Sequence, residues 1–279
     1  MKNKMMMPYL TRPTPLLAAL GLLAATVAES QAVLFSYYIG VDGQQTIPTG
    51  AYAGLANPNA NRLTLLFAHP NEASPSSGHY HSKGVYRYQP GSPVGSPVIE
   101  VNPANYLPEG SAAPLSMTAG VGIYAGKSVV LEDSSNGFSL IDFRDTDDLA
   151  AYAPGTAESY MYNSSGGRWT GSIAGADVHL VLVWKSDGLN IGNDSSLNIG
   201  LNGAGDEYHL SDDVNFSPVF WTEQDAVPGT YLAQFKLVDE EGIFGDSGTF
   251  EFRFDVVPEP SSALLAAGAA ALGLMRRRR

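Results

Sequence analysis

The sequence predicts an all-β fold, an antiparallel β-sandwich of immunoglobulin-like or jelly-roll-like type over residues 33–257, flanked by two short apolar end segments. Short apolar or alternating runs recur along the chain between turn-forming residues, which is the spacing of packed strands rather than of helices. Thirty glycines and 18 prolines interrupt the sequence too often for long helices. The last two runs alternate with period two, the signature of strands with one buried face.

At the N-terminus, Lys2, Lys4 and Arg12 precede an uncharged apolar stretch from Leu16 to Val27. Small residues follow in Thr26-Val27-Ala28 and Ser30-Gln31-Ala32. This three-part pattern reads as a secretory signal over residues 1–32, cut after Ala32 by signal peptidase, and its apolar stretch is short for a permanent membrane span.

Strands are expected at Leu63 to Ala68, Val85 to Tyr88, Ser128 to Leu131, Phe138 to Phe143 and Val178 to Trp184, then at Leu197 to Leu201 and Pro218 to Thr222. The closing pair is the clearest. Tyr231, Ala233, Phe235 and Leu237 share one face of the run Thr230 to Val238, and Phe250, Phe252, Phe254 and Val256 share one face of Thr249 to Val257. The two are expected to form a long hairpin. Six prolines between Gln89 and Pro114 predict an irregular loop or extended edge there. A short helical turn is expected near Asp145 to Ala151. The whole is read as one β domain or two closely packed ones.

The chain ends in Pro258-Glu259-Pro260, an apolar run from Ala263 to Met275 and four arginines. Prolines on both sides of Glu259 stop a strand or helix, so residues 258–279 lie outside the β domain. The apolar run is short for a permanent span, and the arginines favour the cytoplasmic side. A transient membrane anchor is expected, held until an enzyme processes it.

Charge and cysteine content narrow the function. Without Lys2, Lys4, Arg12, Glu29 and the terminal arginines, the remaining chain carries a net charge of −18, a surface that repels nucleic acid and is compatible with cations. The absence of cysteine removes disulfides, thiolate zinc sites and cysteine catalysis.

His69, His79 and His81 lie close together in the sequence. Residues two apart on a strand point to one face, so His79 and His81 can converge on one ion, and the intervening loop can return His69 to the same edge. Three neutral imidazoles with water, or with a carboxylate such as Glu72, suit Zn²⁺. His179 and His209 are weaker candidates as a distant fourth ligand. The acidic groups Asp142, Asp145, Asp147, Asp148 and Asp239, Glu240, Glu241 lack the spacing of an EF-hand Ca²⁺ loop and read as solvated loops. Gly245-Asp246-Ser247-Gly248 echoes a serine-protease nucleophile segment, but Thr249 follows where glycine is needed and no histidine segment of that type precedes it; it reads as a turn. No nucleophile elbow, phosphate-cradling loop or HExxH helix appears either.

The tail Val257-Pro258-Glu259-Pro260-Ser261, with its apolar helix and terminal arginines, resembles the PEP-CTERM sorting signal. Further segments resemble the Zur-repressed PEP-CTERM family: Arg62 to Pro70, His79-x-His81, Gly122 to Gly126, Asn163 to Trp169, Gly188 to Gly192 and Phe216 to Thr222. The resemblance implies recognition by an exosortase in a Gram-negative bacterium, transient inner-membrane anchoring, and a destination in the periplasm, outer surface or extracellular matrix. It also implies production under zinc starvation and a role in zinc handling, with His69, His79 and His81 as the carried-over ligands. The expected function is a non-enzymatic, exported zinc-related protein. Its rival is a structural or adhesive module whose Tyr80, Tyr86 and Tyr88 contact extracellular polysaccharide.

Overall fold

The computed structural model describes residues 34–71, 73–89, 97–99, 103–210 and 214–257. The expected signal segment over residues 1–32, Glu72 and the Pro258-Glu259-Pro260 tail lie outside the described residues. Those described are mostly β, in two main sheets, one of them curled into a half-barrel, and a two-stranded ribbon pairs Tyr86–Tyr88 with Pro97–Ile99. Among the described residues no helix is long and apolar enough to cross a membrane.

The five-stranded sheet runs in the order Asn215–Phe216, Phe143–Asp145, Tyr37–Val41, Leu63–His69, His79–Lys83. The nine-stranded sheet runs Asn190–Gly192, Val219–Glu223, Lys127–Val130, Leu115–Ala119, Phe250–Val256, Gly229–Asp239, Val178–Lys185, Glu207–His209, with Tyr106–Leu107 also paired to Phe250–Val256. The closing hairpin is present, in the register Tyr231↔Phe254 and Ala233↔Phe252. The sheets are mixed rather than purely antiparallel: Tyr37–Val41 pairs in parallel with Phe143–Asp145, and Phe250–Val256 pairs in parallel with Leu115–Ala119 and Tyr106–Leu107.

One core lies between the sheets. Tyr37, Ile39, Leu63, Leu65 and Phe67 from the first meet Leu182, Phe235, Phe250, Phe252 and Phe254 from the second, with Tyr37 and Phe252 ring centres 5.6 Å apart. The opposite face of the five-stranded sheet is also covered. There Tyr38, Leu66, Ala68 and Tyr80 pack against Leu149, Met161 and Trp169. The cover is a 3₁₀ turn, Thr146–Leu149, and a short helix, Ala157–Tyr162, whose Thr156 hydroxyl caps the Ser159 N–H at 3.2 Å.

Several expectations are corrected. Leu197 to Leu201 is not a strand: Asn198 Oδ1 accepts from the Gly200 N–H at 2.7 Å, and such local bonds compete with a ladder. Phe138 to Phe143 begins as a 3₁₀ turn, Gly137–Ser139, and only Phe143–Asp145 joins a sheet. The proline-rich stretch from Gln89 to Pro114 is compatible with the expected irregular or extended chain, its described residues including two short strands, Pro97–Ile99 and Tyr106–Leu107.

Candidate metal centre

The strands Leu63–His69 and His79–Lys83 form an antiparallel pair with Leu65 opposite Lys83, Phe67 opposite His81 and His69 opposite His79. Alternation puts all six on one face, the face that forms the inter-sheet core. Leu65 and Phe67 are buried there. Toward the outer end of the pair the apolar residues give way to His69, His79 and His81, so the imidazoles stand at the rim of the core, His79 and His81 on the edge strand and His69 on its neighbour. Their ring centres are 4.0 Å apart for His69 and His81, 5.0 Å for His79 and His81, and 5.6 Å for His69 and His79. Tyr80, between the two strand histidines, points to the opposite face and is buried against Tyr38.

A carboxylate completes the group, and it is Glu109. Its Oε2 lies 3.1 Å from His69 Nε2 and 2.7 Å from His81 Nδ1. Its Oε1 pairs with Lys83 Nζ at 2.6 Å. The other sheet delivers it: Tyr106–Leu107 pairs with Glu251 and Phe252, and Arg253 Nη2 donates to the Pro108 carbonyl at 2.7 Å while lying over the Tyr106 ring. Lys83, only 4% exposed, also donates to the Ala104 carbonyl at 2.8 Å. His79 stands outermost and exposed, its Nε2 3.1 Å from His81 Nε2 and its Nδ1 3.0 Å from the Ser77 carbonyl.

The electrostatics follow from this packing. Burial, reinforced by the neighbouring His81, lowers the His69 pKa against the opposing pull of Glu109, so the ring favours its neutral, ligating form. Burial alone pushes the Glu109 carboxyl up, but hydrogen bonds from Lys83 and His81 outweigh it and hold the group below its ordinary range. Burial lowers the Lys83 pKa, which the Glu109 contact partly offsets. An open cavity of about 500 Å³ borders His81, Lys83 and Glu109 and gives solvent access.

These donors have the chemistry for a borderline divalent ion. Ligands about 2.0–2.1 Å from a tetrahedral Zn²⁺ lie about 3.3 Å from one another, near the His69–Glu109 separation of 3.1 Å, while the His81–Glu109 pair, hydrogen-bonded at 2.7 Å, would have to open to admit the ion. Glu109 was missed by sequence reasoning because it lies 28 residues beyond His81, in a segment without a regular pattern.

The remaining candidates are placed elsewhere. His179 and His209 face each other across the strands Val178–Lys185 and Glu207–His209 of the nine-stranded sheet, apart from the three histidines. Asp142 pairs with Arg144 at 3.1 Å, Asp145 caps the Asp148 N–H at 3.1 Å, Asp147 contacts the Ser172 hydroxyl, and Asp239 accepts from the Phe244 N–H at 2.8 Å. Ser247 is 2% exposed, accepts from the Leu237 N–H and donates to the Gly248 carbonyl. Tyr86 and Tyr88 are half-buried; Arg62 lies over the Tyr86 ring and Tyr52 packs on Tyr88.

Comparison with known proteins gives one match. No curated protein and no solved structure matches the chain. Residues 256–279 match the PEP-CTERM protein-sorting motif, which contains the predicted Pro258, Glu259 and Pro260. This chain therefore carries the signal of an exported protein sorted by an exosortase in Gram-negative bacteria.

Proposed function

We propose that this protein is a non-enzymatic zinc-binding protein of the cell envelope or surface, made when zinc is scarce. Its zinc ion is held by His69 Nε2, His81 Nδ1 and Glu109 Oε2. His79, the exposed neighbour, turns in to complete the set. The convergence of three imidazoles and one carboxylate at the rim of the core carries this reading. Lys83 occupies Oε1 and leaves Oε2 to the histidines. The two sheets sharing one core support a sandwich of immunoglobulin-like or jelly-roll-like type as the rigid scaffold beneath the site.

Zn²⁺ titration of the full chain by calorimetry tests this, beside a variant with His69, His79 and His81 changed to Ala. The proposal expects a binding phase that the triple variant lacks. Identical isotherms for the two proteins would overturn it.

A second reading, adhesion to extracellular polysaccharide, is favoured by a cleft of about 310 Å³ lined by Tyr52, Tyr86, Tyr88, Asn57 and Arg168. Tyr80 is not part of it, being buried on the far face of its strand. Chelator-insensitive glycan binding that is lost on changing Tyr88 to Ala would support this alternative.

A further inference from the structure

A second group of metal-ligating side chains lies on the outer face of the nine-stranded sheet. Strand Val178–Lys185 buries Val178, Leu180 and Leu182 in the core, so His179 faces outward, as does Asp177 two residues earlier. Glu207–His209, at the edge of this sheet, places His209 directly opposite His179. Tyr208, between its two outward neighbours, stacks inward on Phe216.

Three donor atoms meet there. Asp177 Oδ1 lies 3.0 Å from His179 Nε2 and 2.9 Å from His209 Nε2, and all three lie within 4.8 Å of one another. Cis ligands about 2.1 Å from an octahedral ion are about 3.0 Å apart, so both Asp177–histidine edges match a coordination polyhedron. Backbone bonding fixes the carboxylate: the Asp177 N–H donates to Asp239 Oδ1 at 3.0 Å, and the Glu240 N–H donates to the Asp177 carbonyl at 2.9 Å. Strand pairing fixes the histidines. On its far side, His179 Nδ1 is buried without a hydrogen bond, with Glu207 Oε1 at 3.9 Å. That is where a ligating imidazole presents its second N–H to a carboxylate, and a small side-chain movement would close the gap.

We propose that Asp177, His179 and His209 form a second, solvent-open site for an imidazole-preferring divalent transition ion of the Zn²⁺ class. Two histidines and one carboxylate leave the outward coordination positions to water. His209 is 55% exposed, so the ion exchanges readily and binds more weakly than at the buried-edge site. The two ligand sets share no residue, so each loads without the other.

The test is Zn²⁺ calorimetry and Co²⁺ visible absorption on the full chain, on His209→Ala, on Asp177→Asn and on the His69, His79, His81 triple variant. His209 is exposed and Asp177→Asn keeps the side-chain shape, so thermal melts in chelator are expected to match the wild type and exclude misfolding. The site predicts two equivalents bound by the wild type. His209→Ala and Asp177→Asn each lose the weaker phase alone, and the triple variant retains it. Wild-type isotherms in both His209→Ala and Asp177→Asn overturn the second site, whatever the triple variant does. A phase lost in those two variants but kept in the triple variant upholds it even where the histidine-rim reading fails.

Discussion

Changing Glu109 to Gln separates a metal ligand from a structural ion-pair partner. In the wild type Glu109 neutralises Lys83, whose side chain is 4% exposed, across 2.6 Å. Glutamine keeps the shape and removes the charge, leaving a buried ammonium with neutral acceptors, the amide oxygen and the Ala104 carbonyl, and no counter-charge. Breaking a buried pair from one side costs about 3–5 kcal/mol; Glu109 retains 14% exposure, so about 2–4 kcal/mol is expected here. For a domain of this size each kcal/mol lowers Tm by about 2–4 °C, giving a fall of about 5–15 °C in chelator. Adding Lys83→Met removes the orphaned cation and restores much of that loss. Zinc separates the two roles: affinity at the histidine rim falls at least about 10–100-fold in the single variant and does not return in the double. Melting curves with chelator and with Zn²⁺, together with competition against a calibrated chelator, read both quantities. A Glu109→Gln protein that melts and binds Zn²⁺ like the wild type would refute the placement of Glu109 at this site.

Other perturbations follow from single contacts. Burial, reinforced by Asp148 and Asp147, raises the Asp145 pKa to about 6. Its contribution is therefore full below about pH 4 and is lost as pH rises through about 6. With screening allowed for, Asp145→Asn, which keeps the capping oxygen, gains about 1–2 kcal/mol at pH 8 and nothing at pH 4, measured by urea unfolding at both pH values. Asp42 is fully buried and accepts from Arg168 Nε at 2.8 Å, Asn57 Nδ2 at 2.9 Å and the Gln44 N–H at 3.0 Å. Asp42→Ala is expected to cost about 3–5 kcal/mol in the same assay, since it strands a guanidinium. Gly84 has φ +67°, and a Cβ there would stand 2.5 Å from the Gly248 carbonyl oxygen. Gly84→Ala should therefore destabilise by about 2 kcal/mol or more and loosen the backbone beside Lys83, seen as faster amide exchange at Gly248. Phe252→Ala, at a fully buried ring touching both sheets, is expected to cost about 3–5 kcal/mol.

The features legible in the sequence were those with a one-sided environment. Tyr231 to Leu237 and Phe250 to Val256 alternate because one face of each strand meets the core and the other meets polar neighbours. Tyr37–Val41 carries no alternation, because it is central in its sheet and buried on both faces, and it was not read as a strand. Leu197 to Leu201 alternates in composition, yet its Asn198 side chain and that of the preceding Ser196 bond locally and hold it as a loop. His79 and His81 were readable together because two residues on a strand share a face. Glu109 was not, since its position depends on Tyr106–Leu107 joining the other sheet in parallel, a long-range pairing that no local pattern encodes. The same holds for Asp177, His179 and His209: the first two are neighbours in sequence, and the third arrives only through strand pairing.

Zinc-edge X-ray absorption on the full chain with His209 changed to Ala and one equivalent of Zn²⁺ bound reads the ligands at the histidine rim. A first shell of nitrogen and oxygen at about 2.0–2.1 Å with the outer-shell scattering of two or three imidazoles is expected. A shell of oxygen alone, with no imidazole scattering, would contradict histidine ligation.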